Sequence, residues 1–234
     1  LARLKKLLAR LFLPKPPRRI ECIDISHMGG SDTVAAVVAF EDGVPDRKRY
    51  RTFRVRNVRD GDDYAAMHEV LLRRLGRAQT DDPGWTAPDL LVVDGGKGQL
   101  AIAMRALHEI GVTGLSLAGL AKEKQNVLGE QLVDRVYLPG RKNPIELRDG
   151  GGALQILAHA RDEAHRASNA LRVKLGHKRT LASEIDGIPG VGPKTKKALL
   201  KALGSVQAVA AASTTELMAA GATSKTAEAI YTHF

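Results

Sequence analysis

Apolar and polar positions alternate along this chain at several distinct periods, and each period predicts a different kind of element. Leu1, Leu4, Leu7, Leu8 and Leu11 recur at helical spacing, which predicts a short amphipathic helix over residues 1–13. Pro14-Lys15-Pro16-Pro17 stops it, because proline lacks the backbone N–H and disfavours helix in the residue before it; this segment reads as a linker. Three strand-like runs follow at Arg19–Ser26, Thr33–Phe40 and Lys48–Val55, with turns at Gly29-Gly30 and Glu41-Asp42-Gly43. Strands so close in sequence predict antiparallel hairpins. Asp62–Leu75 reads as a helix, with Asp62 or Asp60 as its cap. Leu90–Val93 is wholly apolar, as a strand covered on both faces would be, and it ends at Asp94-Gly95-Gly96-Lys97-Gly98. Gln99–Ile110 is helical and Leu115–Leu120 strand-like. Residues 122–151 read as a basic, irregular segment, and Ala153–Leu175 as one long helix.

This order predicts an α/β fold, a mixed sheet flanked by helices, with the strands near Ile20 and Leu90 at its centre. Residues 176–182 read as a basic hinge. The Ala-rich remainder predicts a small all-α second domain. The expected division is therefore 1–17 helix and linker, 18–175 main domain, 176–182 hinge and 183–234 second domain.

Charge narrows the partners. The formal net charge is +10, which attracts polyanions. Residues 1–19 carry seven Lys and Arg and no acids, and residues 172–201 carry eight with two acids. The second cluster surrounds a Gly-Pro-rich turn, a poor membrane helix and a good phosphate grip, so nucleic acid is favoured over an anionic membrane surface. Solvated basic faces are the plain alternative. No apolar run approaches the roughly 20 residues of a membrane span, so no membrane association is expected. The lone cysteine, Cys22, leaves no internal disulfide framework and suits a reducing cytoplasm. The chain opens on Leu1 inside a helical pattern, as a fragment of something longer would.

Three positions carry candidate chemistry: Asp24 within a mostly apolar strand, Asp94 directly after the Leu90–Val93 strand, and His165, with Asp162 one turn before it on a long helix. A carboxylate in a buried strand costs several kcal/mol in order of magnitude unless it is paired or holds a metal. Two on adjacent strands repel each other, and a divalent cation resolves both problems. Oxygen ligands suit Mg²⁺ or Mn²⁺, and a histidine nearby serves as ligand or proton carrier. Each position also has an ordinary structural reading: Asp94-Gly95-Gly96 as a strand-ending turn, Asp24 as a backbone hydrogen-bond acceptor, Arg161, Asp162, Glu163 and Arg166 as surface ion pairs. The glycines after Asp94 do not have the spacing of a nucleotide-binding P-loop. They read instead as a sharp turn away from a crowded carboxylate, with Lys97 placed to touch phosphate. No small-molecule cofactor is expected.

Four phrases occur in order: Pro17-Arg18-Arg19-Ile20-Glu21-Cys22-Ile23-Asp24-Ile25-Ser26-His27, Asp62-Asp63-Tyr64-Ala65-Ala66-Met67, Asp94-Gly95-Gly96-Lys97-Gly98-Gln99-Leu100 and Arg161-Asp162-Glu163-Ala164-His165-Arg166. Together they resemble the C-terminal half of the UvrC family, the incision subunits of bacterial nucleotide excision repair. The resemblance implies an RNase H-like fold that makes the 5′ cut beside a DNA lesion, with Asp24, Asp94 and His165 as the active site and Asp63 as a supporting acid. It implies lesion-bearing or bubbled double-stranded DNA as substrate, UvrB as partner with UvrA upstream, and a GIY-YIG nuclease domain and UvrB-contacting segment before Leu1. A catalytically inactive DNA-binding scaffold and an endonuclease V-like repair nuclease are the alternatives. One departure stands out. Arg166-Ala167-Ser168-Asn169 is smaller and more polar than the family's usual continuation, and looser packing behind His165 is expected.

In the second domain, Ile188-Pro189-Gly190-Val191-Gly192-Pro193-Lys194 lies between helical segments and resembles a helix-hairpin-helix element. Gly190 and Gly192 would let a phosphate approach closely. The helix from Pro193 would direct its free N–H groups at that phosphate, with Lys194 and Lys196 adding charge. A degraded second copy follows at Ala220-Gly221-Ala222-Thr223-Ser224-Lys225, giving Gly221, Ser224 and Lys225 as further candidate contacts. Such contacts read backbone and shape rather than base sequence.

Overall fold

Side chains on the central strands alternate between two apolar clusters, and that alternation sets the layers. The computed structural model describes residues 2–28, 32–56, 58, 61–121, 134–146 and 154–234, and the chain divides into two units, Leu1–Arg172 and Val173–Phe234. In the first unit β1 (Arg19–Met28) pairs antiparallel with β2 (Asp32–Glu41) and parallel with β5 (Leu90–Asp94). β3 (Val44–Pro45) and β4 (Arg51–Arg54) both pair with β2, and β6 (Ser116–Ala121), β7 (Arg135–Tyr137) and β8 (Ile145–Glu146) extend the sheet beyond β5. The order is β3-β2-β1-β5-β6-β7-β8 with β4 off that path, a mixed sheet.

Ile20 and Cys22 of β1 and Leu90 and Val92 of β5 face one cluster. Ile23 of β1 and Leu91 and Val93 of β5 face the other. The first cluster is covered by α1 (Ala2–Leu11), through Leu4, Leu7 and Leu11, and by α4 (Gln155–Asp186), through Leu157, Ala160 and Ala164. The second is covered by α2 (Asp63–Ala78) and α3 (Lys97–Ile110). Three layers result, with β1 and β5 central, as the order of the elements predicted.

Glu21 points from β1 to the α2 side, where Arg74 answers it: Nε donates to Oε2 at 2.9 Å and Nη2 to Oε1 at 2.5 Å. Arg74 also donates to the carbonyls of Trp85 and Thr86. Both charges are buried, so their bonding is complete where water is excluded. The guanidinium groups of Arg51 and Arg77 lie 4.8 and 4.6 Å from the Trp85 ring centre and extend this lock to the sheet edge.

Several expected boundaries move. The helix expected over 1–13 is α1, Ala2–Leu11, and its leucine stripe is core to the first unit. The run Lys48–Val55 splits into a 3-10 turn at Arg47–Arg49, whose N-cap is Asp46, and the shorter β4. Asp62 caps α2, accepting from the Ala65 N–H at 2.9 Å; Asp60 and the Gly29-Gly30 turn lie outside the described residues. Within 122–151, residues 134–146 are described and hold β7 and β8 instead of irregular chain. Residues 176–182 are helical: α4 runs to Asp186, since this stretch has one glycine, no proline and good helix formers.

The second unit is all-α. The end of α4, α5 (Pro193–Leu203), α6 (Val206–Ala211), α7 (Thr214–Ala219) and α8 (Ser224–His233) enclose a core that includes Ile185, Leu199, Val209, Leu217 and Ile230. Among the described residues no helix is long and apolar enough to cross a membrane.

Replacing Arg74 with methionine keeps much of the apolar stem but leaves Glu21 buried and unanswered. The expected loss is on the order of 3–5 kcal/mol in chemical denaturation, and a change under about 0.5 kcal/mol would show that this pair does not hold α2 to the sheet.

Candidate active site

Asp24 follows Ile23 on β1 and Asp94 follows Val93 on β5, and Ile23 lies directly across from Val93 in the parallel register. That register brings the two aspartates side by side, on the face covered by α4. Asp24 is buried and Asp94 half-buried. α4 comes close because its inward stripe is small: Ala160 and Ala164 are fully buried, and His165 and Ser168 follow on the next turn. His165 is 66% exposed, with its Nδ1 3.7 Å from Oδ2 of Asp24. One ligand atom from each of Asp24, Asp94 and His165 falls within 4.8 Å of the others.

Burial first, then the neighbouring Asp24 charge and a hydrogen bond with Asp24, together raise the Asp94 carboxyl to about 7 against the opposing charge of Arg161. Arg161 is itself buried beside the pair, donating to Asp134 Oδ2 at 2.5 Å and to Asp162 Oδ1 at 2.9 and 3.1 Å. Asp162 is thereby turned towards Arg161. The buried Cys22 thiol, beneath the pair, is pushed well up by desolvation and then by the two aspartates. Two carboxylates and an imidazole, close enough to share one ion and open to solvent on the His165 side, form a donor set that fits a hard divalent cation with positions left for other oxygen ligands.

The turn after Asp94 is built for close approach. Gly95 has φ +155°, and a Cβ there would sit 2.5 Å from Gln99 Cδ. A Cβ on Gly119 of β6 would sit 2.8 Å from the Gly95 carbonyl oxygen, so both glycines let the chain fold back beside Asp94. Lys97, expected at phosphate, is exposed and donates to the carbonyl of Lys142 at 2.9 Å. Asp63 is not part of the three-residue cluster. It sits in the first turn of α2, at the opposite face of the sheet, and pairs with Nε2 of His27, whose Nδ1 is 2.9 Å from Thr33 Oγ1.

Sequence reasoning passed over Ser168. It noted only a small polar residue where bulk was expected and anticipated looser packing. The structure fully buries Ser168 and directs its Oγ to Oδ2 of Asp24. The available signal was its spacing, three residues after His165 and four after Ala164 on the inward face. His27, quoted within a motif but given no role, was passed over as well.

In the second unit, α5 starts at Pro193 behind Gly192, which offers no side-chain cap, so the first-turn N–H groups are not closed off by a side chain. Lys194 is exposed beside them, whereas Lys196 Nζ is 2.6 Å from Asp186. Aligning Gly190 with Gly221 also aligns Lys194 with Lys225, Thr195 with Thr226 and Leu199 with Ile230. The two turns pack reciprocally. Gly190 (φ +88°) lies against Thr226, and Gly221 (φ +103°) against Ala198. In the second turn the Thr223 side chain accepts from the Thr226 N–H at 3.2 Å, while Ser224 and Lys225 are exposed.

The first unit is thus an RNase H-like α/β fold carrying a carboxylate–carboxylate–imidazole cluster, and the second a tandem helix-hairpin-helix. A family model described as the UvrC RNase H endonuclease domain matches residues 9–168, and one described as a SAM-like helix-hairpin-helix tandem matches residues 182–234. The chain belongs to the UvrC RNase H endonuclease domain family. It is 46% identical over 222 residues to the UvrABC system protein C of Syntrophotalea carbinolica, covering 92% of this chain and 36% of that protein. To the protein of the same name from Protochlamydia amoebophila it is 44% identical over 225 residues, covering 96% and 36%. The chain therefore spans 36% of the length of either relative. Among solved structures, an endonuclease V of Ciona intestinalis in complex with an inosine-containing DNA aligns at 13% identity and TM-score 0.44, over 74% of this chain and 96% of that one.

The Asp94 shift has a pH consequence. Its folded carboxyl lies above its ordinary value of 3.8, so between about pH 4 and 7 the unfolded chain releases a proton that the folded chain retains. Metal-free stability falls as pH rises through that window and stays reduced above it. Asp94→Asn is expected to narrow the difference in metal-free melting temperature between pH 4.5 and pH 8; an unchanged difference would show that Asp94 carries no such strain.

Proposed function

We propose that this chain is the structure-selective DNA endonuclease module that makes the 5′ incision beside a lesion in bacterial nucleotide excision repair, hydrolysing one phosphodiester with Mg²⁺ or Mn²⁺. The observation that carries the reading is the convergence of Asp24, Asp94 and His165 from β1, β5 and α4 within 4.8 Å. Asp24 and Asp94 hold the cation, and His165 completes the site as ligand or as proton carrier towards solvent. A divalent cation bound there supplies Lewis acidity towards the phosphoryl group and lowers the pKa of a water. The surrounding residues set geometry. Gly95 and Gly119 let the turn clear Asp94, and Ala160 and Ala164 let α4 reach the sheet. Asp63, paired with His27, acts as a supporting acid from the α2 side.

The second unit grips the DNA backbone. The uncapped start of α5, with Lys194 beside it, takes one phosphate, and Ser224 and Lys225 take another. Lys196 joins only when DNA competes with Asp186 for it. UvrB, with UvrA upstream, delivers the lesion-bearing strand, and the reaction takes place in the cytoplasm.

The decisive measurement is nicking of a labelled duplex with a short bubble, with Mn²⁺ or Mg²⁺ against EDTA, with UvrA, UvrB and the remainder of the full-length protein supplied. Metal-dependent nicking that Asp24→Ala lowers by roughly 10³-fold or more, with DNA binding retained, supports the proposal; that magnitude assumes loss of most of the metal's contribution. No nicking by wild type leaves the DNA-binding scaffold as the better reading. Separately, Lys194→Ala together with Lys225→Ala is expected to reduce the salt slope of binding by about 2, near one per phosphate contact. Bubbled duplex should bind more tightly than plain duplex, and equal binding would remove the structural preference.

A further inference from the structure

Ser168 has no exposed surface. Its Oγ contacts Oδ2 of Asp24 and also lies 3.1 Å from the carbonyl oxygen of His165. A serine hydroxyl has one proton to give. The His165 carbonyl is inside α4, where the helix already supplies it with an N–H from the following turn. A carboxylate oxygen is the stronger acceptor, because a hydrogen bond to an ionised group is about twice as strong as a neutral one. The same Oδ2 is 3.7 Å from His165 Nδ1, beyond hydrogen-bond reach. The hydroxyl therefore belongs to Asp24.

A carboxylate on a short side chain turns easily about its last torsion, a broad and roughly two-fold well. Pinning one oxygen removes that freedom. The pin comes from α4, the helix that also carries His165, so one element places the third member of the cluster and orients the first. We propose that Ser168 is a positioning residue: its buried hydroxyl holds the Asp24 carboxylate in the rotation that presents it, together with Asp94 and His165, to a divalent cation. This rests on the metal-site reading above. Outer partners that orient a metal ligand typically contribute 10–100-fold to metal affinity or activity.

The test is Mn²⁺ titration of the whole chain, followed by the electron paramagnetic resonance of free Mn²⁺, for wild type, Ser168→Ala, Ser168→Cys and Asp24→Ala. Metal-free thermal unfolding of each serves as the check on folding. The expected result is a Mn²⁺ dissociation constant raised about tenfold in Ser168→Ala. A smaller rise is expected in Ser168→Cys, whose thiol is a weak donor of similar size, and near-complete loss of site binding in Asp24→Ala. Wild-type affinity in Ser168→Ala, with binding still lost in Asp24→Ala, overturns the role of Ser168 and leaves the metal site standing. Wild-type affinity in Ser168→Cys combined with weakened binding and a lowered melting temperature in Ser168→Ala assigns Ser168 to packing and overturns it too. Absence of any Asp24-dependent Mn²⁺ binding in wild type overturns the metal-site reading and this proposal together.

Discussion

Two carboxylates cannot be held side by side in a half-dry setting without strain, and the first unit is arranged around holding them there. β1 and β5 run parallel with Ile23 across from Val93, so the two acids that end the apolar stretches fall next to each other. The proton retained on Asp94 is the electrostatic record of that arrangement. Other features follow from it. α4 needs a stripe of alanines to come near the pair, and the strand-to-helix turn after Asp94 needs Gly95, with Gly119 cleared beneath it on β6. A bound cation removes the conflict, which is why a group of this kind marks a functional site more than a structural one.

β1 itself supplies the contrast. Glu21 and Asp24 lie three residues apart on one strand and point to opposite faces. Glu21 meets Arg74 in a paired, buried geometry with its oxygens answered. Asp24 meets another acid, a serine hydroxyl and an exposed histidine. Neutralised buried charge maintains a fold; buried charge left facing its like awaits something positive. Arg161, whose charge opposes the Asp94 shift, is drawn off by Asp134 and Asp162 and does not fill that role.

The second unit solves a different problem with similar economy. Each hairpin glycine adopts a left-handed conformation and abuts the other repeat's helix, Gly190 on Thr226 and Gly221 on Ala198. The repeats thus pack through the same residues that shape their turns. They differ where a ligand would sit, since Gly192 leaves the start of α5 without a side-chain cap and Thr223 closes the start of α8.

Periodicity alone determined most of the element order, because strands covered on both faces read as apolar runs and helices as stripes. It placed β1, β5 and α4 and the order of the hairpins; Asp24 and Asp94 stood out because an acid in or at the end of an apolar run is conspicuous in one dimension, and His165 because Asp162 lies one helical turn before it. It misplaced β7 and β8, which are too short to show a period, and the end of α4, because a basic run looks the same as a loop or as an exposed helix face. Which acids meet was decided only in three dimensions. The parallel register set Asp24 against Asp94, while alternation along β1 turned His27 to the other face, where α2 brings Asp63 to it. The part played by Ser168 was likewise beyond the sequence, because a hydroxyl has no fixed partner until packing brings a carboxylate within its reach.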